Sequence, residues 1–329
     1  MDSATHLVVG IGLAGLSHLD PLVAGDPSLA VAVYIGTIAG SQAPDLDTLL
    51  RLKSNAAYIR HHRGITHSLP AIIVWTMVIT AIAAAITGTP HLSHLAFWTL
   101  IAVGIHVFQD LFNVYGTQAL RPISERWIAW NIIHIFDPII FTLLVIGILL
   151  WIMQIEAPQR IFGVVFTIIV FYYIWRTLAH AWLQRSLTRA DTAFEEGERY
   201  TVFPTYKIGV WHVVKRMVDG SYRIGDWSMR QFQWLDHVRS DEHPAVEASK
   251  SHDDIRALLY LTEYACAECI THKWGYEVRW TDVRYRHRKQ YPFVAIVLYD
   301  RDLRPIDSYV GWLSQSKLER RLRLDTDGT

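Results

Sequence analysis

Apolar length constrains this chain more than any other feature. Residues 72–86, extended by Leu69 and Thr87, residues 95–112 and residues 161–182 each approach the roughly 20 apolar residues that a helix needs to cross a bilayer core. Residues 139–153 are fewer, but Ile132, Ile133, Ile135 and Phe136 extend them upstream. Residues 7–24 and 29–50 are weaker runs, interrupted by Gly, Ser, His and Asp. Six membrane spans are predicted. After Trp182 charged residues become frequent and no comparable run recurs. The expected architecture is therefore an α-helical polytopic membrane bundle over residues 1–183, followed by a small soluble α+β domain over residues 184–329.

Charge sets the expected orientation. Grouping alternate loops puts Arg51, Lys53, Arg60, Arg63, Arg121, Arg126, Arg185 and Arg189 on one side and Arg160 alone on the other. Cytoplasmic loops carry the excess of Lys and Arg, so both termini and the soluble domain are expected in the cytoplasm. No Lys or Arg precedes the first apolar run, which argues against a cleaved signal peptide. Lys and Arg balance Asp and Glu at 31 each, so overall charge gives no reason to expect nucleic acid as a partner.

Ionisable groups in membrane helices are costly and mark function by default. Here they fall at one end of the predicted spans. His6 starts the first, and Asp45 and Asp47 lie toward the end of the second. The loop Arg60-His61-His62-Arg63-Gly64-Ile65-Thr66-His67-Ser68 precedes the third. His106, Asp110 and Asn113 follow at i, i+4 and i+7 on one helical stripe, and Asn131, His134 and Asp137 enter the fifth span from the same side. A His and a carboxylate one turn apart can share a metal; they can equally hydrogen-bond neighbouring helices. Imidazole with carboxylate and no cysteine suits one to three divalent transition-metal ions, zinc first and manganese or iron next. The expected ligands are His6, Asp45, His61, His62, His67, His106 and Asp110. Asp47, Arg63 and Thr66 are the expected catalytic residues, Arg63 as a phosphate clamp. Pro44-Asp45 also reads as turn chemistry, Arg63 as a snorkelling loop charge, and Asp137-Pro138 as a helix cap. His18, His91 and His94 fall away from the cluster.

Thr5-His6, Pro44-Asp45-Leu46-Asp47, His62-Arg63-Gly64-Ile65-Thr66-His67-Ser68 and His106-x3-Asp110 resemble the YdjM-type, LexA-regulated family of membrane-bound metal-dependent hydrolases of bacteria and archaea. The motifs cover roughly the first 120 residues, and the chain looks closest to longer members with a C-terminal extension. The resemblance implies a plasma (inner) membrane location. More distantly, the His/Asp set is similar to that of zinc-dependent phospholipases C, although the spacings differ and no amino-terminal Trp is present. That similarity implies a phosphoester, with membrane lipid or a lipid-linked molecule as partner. The contrasting reading is a metal-stabilised scaffold or a metal-ion carrier.

In the soluble half, residues 207–217 and 221–229 read as strands joined by Asp219-Gly220. Residues 253–270 read as a helix carrying Cys266 and Cys269, with the spacing of half a zinc site or of two buried apolar residues. Residues 277–286, 292–299 and 306–312 read as further strands. Arg279, Arg284, Arg286 and Arg288 suggest either a solvated strand face or contact with lipid headgroups.

Overall fold

The computed structural model describes residues 1–229, 231–286 and 290–313. It divides into two units. Met1–Thr48, His62–Ala190 and Val202–Trp211 make the first, and Leu49–His61, Asp191–Thr201 and His212–Thr329 the second.

Aspartate and proline punctuate the helices of the first unit. Asp2 caps α1 (Ser3–Leu16), Asp20 caps α2 (Pro21–Gly25) and Asp26 caps α3 (Pro27–Gly40), each carboxylate accepting from amides of the first turn. A long 3-10 segment, Ala43–Leu52, follows α3, and α4 (Asn55–His61) belongs to the second unit. Ser68 caps α5 (Leu69–Thr87), which closes on Gly88 at φ +69°, a left-handed position that glycine occupies without steric cost. Then come α6 (Leu92–Leu111), α7 (Pro138–Ile152) and α8 (Pro158–Ala190).

Three of the expected spans are shorter in the structure. The first run breaks at Ser17, since Asp20 and Pro21 start a new helix; the second ends at Gly40, short of Pro44. Residues 132–136 do not extend the fifth. Asp137 takes the amides of Ile139 and Ile140 while Pro138 fills the first helical position, so α7 cannot begin earlier. The amides of Ile132 and Ile133 bond instead to the Phe112 carbonyl. Among the described residues three helices are long and apolar enough to cross a membrane: Leu69–Thr87, Leu92–Leu111 and Pro158–Ala190. Ser3–Leu19, Pro27–Gly40 and Pro138–Ile152 are apolar but shorter. Val74, Met77, Val78 and Ile82 on α5, and Val164, Phe171, Trp175 and Leu178 on α8, are exposed; rows of apolar side chains on this scale fit lipid better than water.

Small residues bring the helices close. A Cβ on Gly10 of α1 would lie 2.9 Å from the Thr37 carbonyl of α3. One on Gly40 would lie 3.3 Å from Ala102 of α6. Such approaches are how helices pack where the hydrophobic effect contributes little. Leu13, Ile133, Ile140, Leu144 and Phe162 fill the core between α1, α7 and α8.

Two four-stranded sheets follow. β1 (Arg199–Pro204), β2 (Val210–Arg216), β3 (Tyr222–Ser228) and β4 (Gln231–Val238) lie in that order, with β3 and β4 antiparallel. After the helices α9 (Pro244–Ser249) and α10 (Asp253–Leu261) comes an antiparallel meander of β5 (Ala265–Thr271), β6 (Gly275–Asp282), β7 (Phe293–Asp300) and β8 (Pro305–Trp312). β7 is apolar from Phe293 to Tyr299 because both its faces are covered: Ala295 and Val297 pack with Ile59, Ile255 and Leu258, and Val294, Ile296 and Leu298 with Trp274 and Tyr309.

The expected helix over residues 253–270 stops at Leu261. Thr262 is extended, and residues 265–271 pair with β6, where β-sheet partners override the helical reading. Cys266 and Cys269 therefore lie on a strand. Three positions apart they point to opposite faces, so they are not half of a zinc site. Burial pushes both thiols up, which makes them less reactive. The strand expected over residues 277–286 starts at Gly275 and ends at Asp282. Arg279, Arg284 and Arg286 pair with Glu277, Asp282 and Asp236, and Arg288 lies outside the described residues.

Candidate metal centre

The ends of three helices and one loop carry the polar cluster. His6 is in the second turn of α1, and His106 and Asp110 share the buried face of the last turns of α6. Asp45 and Asp47 sit on the 3-10 segment after α3, and His67 lies on a 3-10 turn, Ile65–His67, just before α5. His6, His67, His106 and Asp110 are at most 1% exposed.

Four donor atoms converge. His67 Nε2 and His106 Nε2 are 3.3 Å apart. Asp45 Oδ1 lies 3.5 Å from the first and 3.7 Å from the second, and Asp110 Oδ2 3.5 Å and 3.8 Å. A tetrahedron with metal–ligand arms of about 2.0–2.1 Å has edges of about 3.3–3.4 Å, so the spacing suits a small divalent ion. The hydrogen bonds agree with it. His106 Nδ1 donates to the Ser41 carbonyl at 2.7 Å, which leaves the lone pair on Nε2. The Thr66 hydroxyl donates to Asp47 at 2.7 Å and so accepts from His67 Nδ1 at 3.0 Å, with the same consequence for His67 Nε2. Asp45 Oδ1 and Asp110 Oδ2 are buried without a hydrogen-bond partner. Two imidazole lone pairs and two carboxylate oxygens facing one point repel each other unless a cation lies among them.

Outside the helices, charge states follow from burial and partners. Burial pushes the His67 imidazole down to about 3, so the ring is neutral, as a metal ligand must be.

The other Asp110 oxygen faces a second set of groups. His6 Nε2 is 3.3 Å from Oδ1, and the α-amino group of Met1 contacts both Oδ1 and His6 Nε2, the latter at 2.9 Å. The His6 ring stacks on His106 with centroids 3.7 Å apart. Arg63 approaches Asp110 Oδ2 through Nε at 3.2 Å and donates from Nη2 to the Met1 carbonyl at 2.9 Å. It is 4% exposed, so the snorkelling alternative does not hold. Its backbone is left-handed at φ +61°, an uncommon state for a residue with a Cβ. Asp47 and Gln118 sustain it: Asp47 accepts the Arg63 amide, and the Gln118 amide donates to the Arg63 carbonyl, each at 2.9 Å.

Asp47 is a hub of hydrogen bonds. Besides Arg63 and Thr66, His62 Nδ1 lies 2.6 Å from it, and Asp45, Asp47 and His62 form a second group of metal-binding spacing. Burial raises the Asp47 carboxyl, but the His62 bond outweighs that and holds it below the usual range. His61 ends α4 in the second unit and joins neither group.

The remaining candidates have structural partners. Asn113 bonds Asp110 and accepts the amides of Tyr115 and Gly116; Asp137 caps α7 and takes the Tyr172 hydroxyl at 2.7 Å. His134 bonds the Phe136 carbonyl, and His94 pairs with Asp20. Two participants were invisible to sequence reasoning. The Met1 amino group and the Ser41 carbonyl are main-chain groups, which no residue pattern announces.

Comparison with known proteins gives two family matches. A model described as YdjM inner membrane protein matches residues 1–183, and one described as YfhP C-terminal alpha/beta plait domain matches residues 244–322. The uncharacterized protein YfhP of Bacillus subtilis (strain 168) is 41% identical over 327 residues, covering 98% of this chain and 99% of the relative. No solved structure matches the chain.

Proposed function

Because the chain belongs to the YdjM inner membrane protein family, we propose that it is a membrane-embedded, metal-dependent hydrolase. Its substrate is the phosphoester of a lipid or lipid-linked molecule, reached from the cytoplasmic interface. The observation that carries this reading is the set of four inward-facing donor atoms, two of them buried carboxylate oxygens that accept no hydrogen bond. Asp45, His67, His106 and Asp110 would hold the ion. A divalent ion there supplies Lewis acidity toward a phosphoryl oxygen and lowers the pKa of water.

The protein's own groups do the rest. Arg63 keeps a permanent cation beside Asp110, and its buried Nη1, which has no hydrogen-bond partner, is a donor for a phosphoryl oxygen. Six crossings, three by full-length helices and three by the shorter apolar ones, would leave this site at one face of the bilayer. There a headgroup meets polar atoms while its tails stay in lipid. A carrier would need polar residues through the whole depth. The outward stretches of α5, α7 and α8 are apolar instead, which favours a hydrolase over transport.

Two measurements test this. Protein purified in detergent is expected to hold one to three transition-metal ions and to release phosphate or a phosphorylated headgroup from phospholipid micelles, with activity removed by a chelator and restored by zinc, manganese or iron. Metal-replete protein inert toward a broad phosphoester panel would refute the hydrolase. A reporter fused after Thr329 is expected to read as cytoplasmic; an external signal would contradict the orientation.

A further inference from the structure

Resting on the hydrolase reading, we propose that His62 is the general acid that protonates the leaving alcohol, positioned by Asp47, and is not a metal ligand. The two groups of metal-binding spacing differ in how their atoms are satisfied. In the first, Asp45 Oδ1 and Asp110 Oδ2 have no hydrogen-bond partner. In the second, Asp47 already accepts from His62 Nδ1, the Arg63 amide and the Thr66 hydroxyl, at 2.6, 2.9 and 2.7 Å. A carboxylate with those bonds has little left for an ion.

Its bond to His62 does something else. A carboxylate at Nδ1 fixes the ring's orientation and tautomer, so proton transfer from this imidazole has to run through Nε2. His62 is also placed for contact with substrate. Its side chain is 20% exposed, whereas those of His67 and His106 are fully buried. Its ring centroid lies 6.0 Å from that of His67, one of the proposed ligands.

The step balances without a further reactant. Water forms the new P–O bond and gives one proton to solvent. The P–O bond to the alcohol breaks with its electron pair on the alcohol oxygen, which takes the proton from Nε2. His62 regains a proton from solvent, and nothing is oxidised or reduced. Asp47 acts through His62 and is a positioning residue.

Leaving-group dependence separates a general acid from a ligand. Octyl phosphate and p-nitrophenyl phosphate, and the methyl diester of each, serve as probes, because p-nitrophenolate departs without a proton while an alkoxide does not. His62→Gln, whose amide can still donate to Asp47, is expected to keep its full metal content. It should lose about 10²–10⁴-fold in turnover on the octyl compounds and far less on the p-nitrophenyl ones. Asp47→Asn should show the same selective loss in milder form, with metal retained, which covers the case of a poorly folding His62 variant. Metal lost from His62→Gln, or equal losses on both leaving groups, overturns the assignment while leaving the hydrolase intact. A wild type inert toward all four compounds overturns the hydrolase reading and this proposal with it.

Discussion

His106→Ala and Asp110→Ala are each expected to lose at least one metal ion from the purified protein, and with it the phosphoesterase activity. Both residues give an inward-facing atom to the four-donor set, and neither is more than 1% exposed, so water cannot replace the missing ligand without entering a closed site. The loss of affinity should exceed the 10–100-fold typical of changes one shell further out. Elemental analysis of both variants beside wild type checks it. Full occupancy in both would rule out the α6 pair as ligands. Asp110→Ala carries a second penalty, since it leaves the buried Arg63 guanidinium without its carboxylate. Breaking a buried pair on one side costs about 3–5 kcal/mol, so this variant should also be the less stable of the two.

Arg63 gives the second large effect, and two substitutions divide its roles. Arg63→Lys keeps a cation near Asp110 but lacks the planar fork that reaches Asp110 and the Met1 carbonyl together. It is expected to insert normally and retain its metal, while turnover falls by about 10²–10³, the usual cost of removing a donor aimed at developing charge. Arg63→Ala should in addition destabilise the fold, because Asp110 then lacks its side-chain cation. The check is steady-state kinetics of Arg63→Lys on a phosphoester that the wild type cleaves, with metal content measured on the same sample. Unchanged kinetics would reduce Arg63 to a charge partner of Asp110.

Local patterns carried much of the fold. Leu69–Thr87 is a helix because nineteen residues supply neither a charge nor an internal breaker, and Ser68 and Gly88 mark its ends in the sequence itself. The cap dipeptides Asp20-Pro21 and Asp137-Pro138 are equally readable, and they shorten two spans that hydrophobicity alone extends. In the soluble half the hairpin at Asp219-Gly220 was legible for the same reason. Residues 265–271 were not. Ala, Cys and Glu are compatible with a helix, and only the partner strand β6 makes an extended conformation the better one.

The sequence by itself determined that His and Asp residues gather at one end of apolar helices, since their positions along each run follow from spacing. It also placed His106 and Asp110 on one stripe, because a helical period relates residues four apart. Which residues meet at a point was decided by tertiary structure alone. His61, His62 and His67 lie within seven positions, yet one ends a helix in another unit, one is bound to Asp47, and one faces His106. The left-handed backbone at Arg63, held by Asp47 and Gln118, separates them, and both partners are distant in sequence. The close approach of α1, α3 and α6 at Gly10 and Gly40 then sets the spacing of the donors. Contacts such as Asp47 with Arg63, 16 positions apart, and His6 with Asp110, 104 apart, depend on how segments pack, and local periodicity has no information about that.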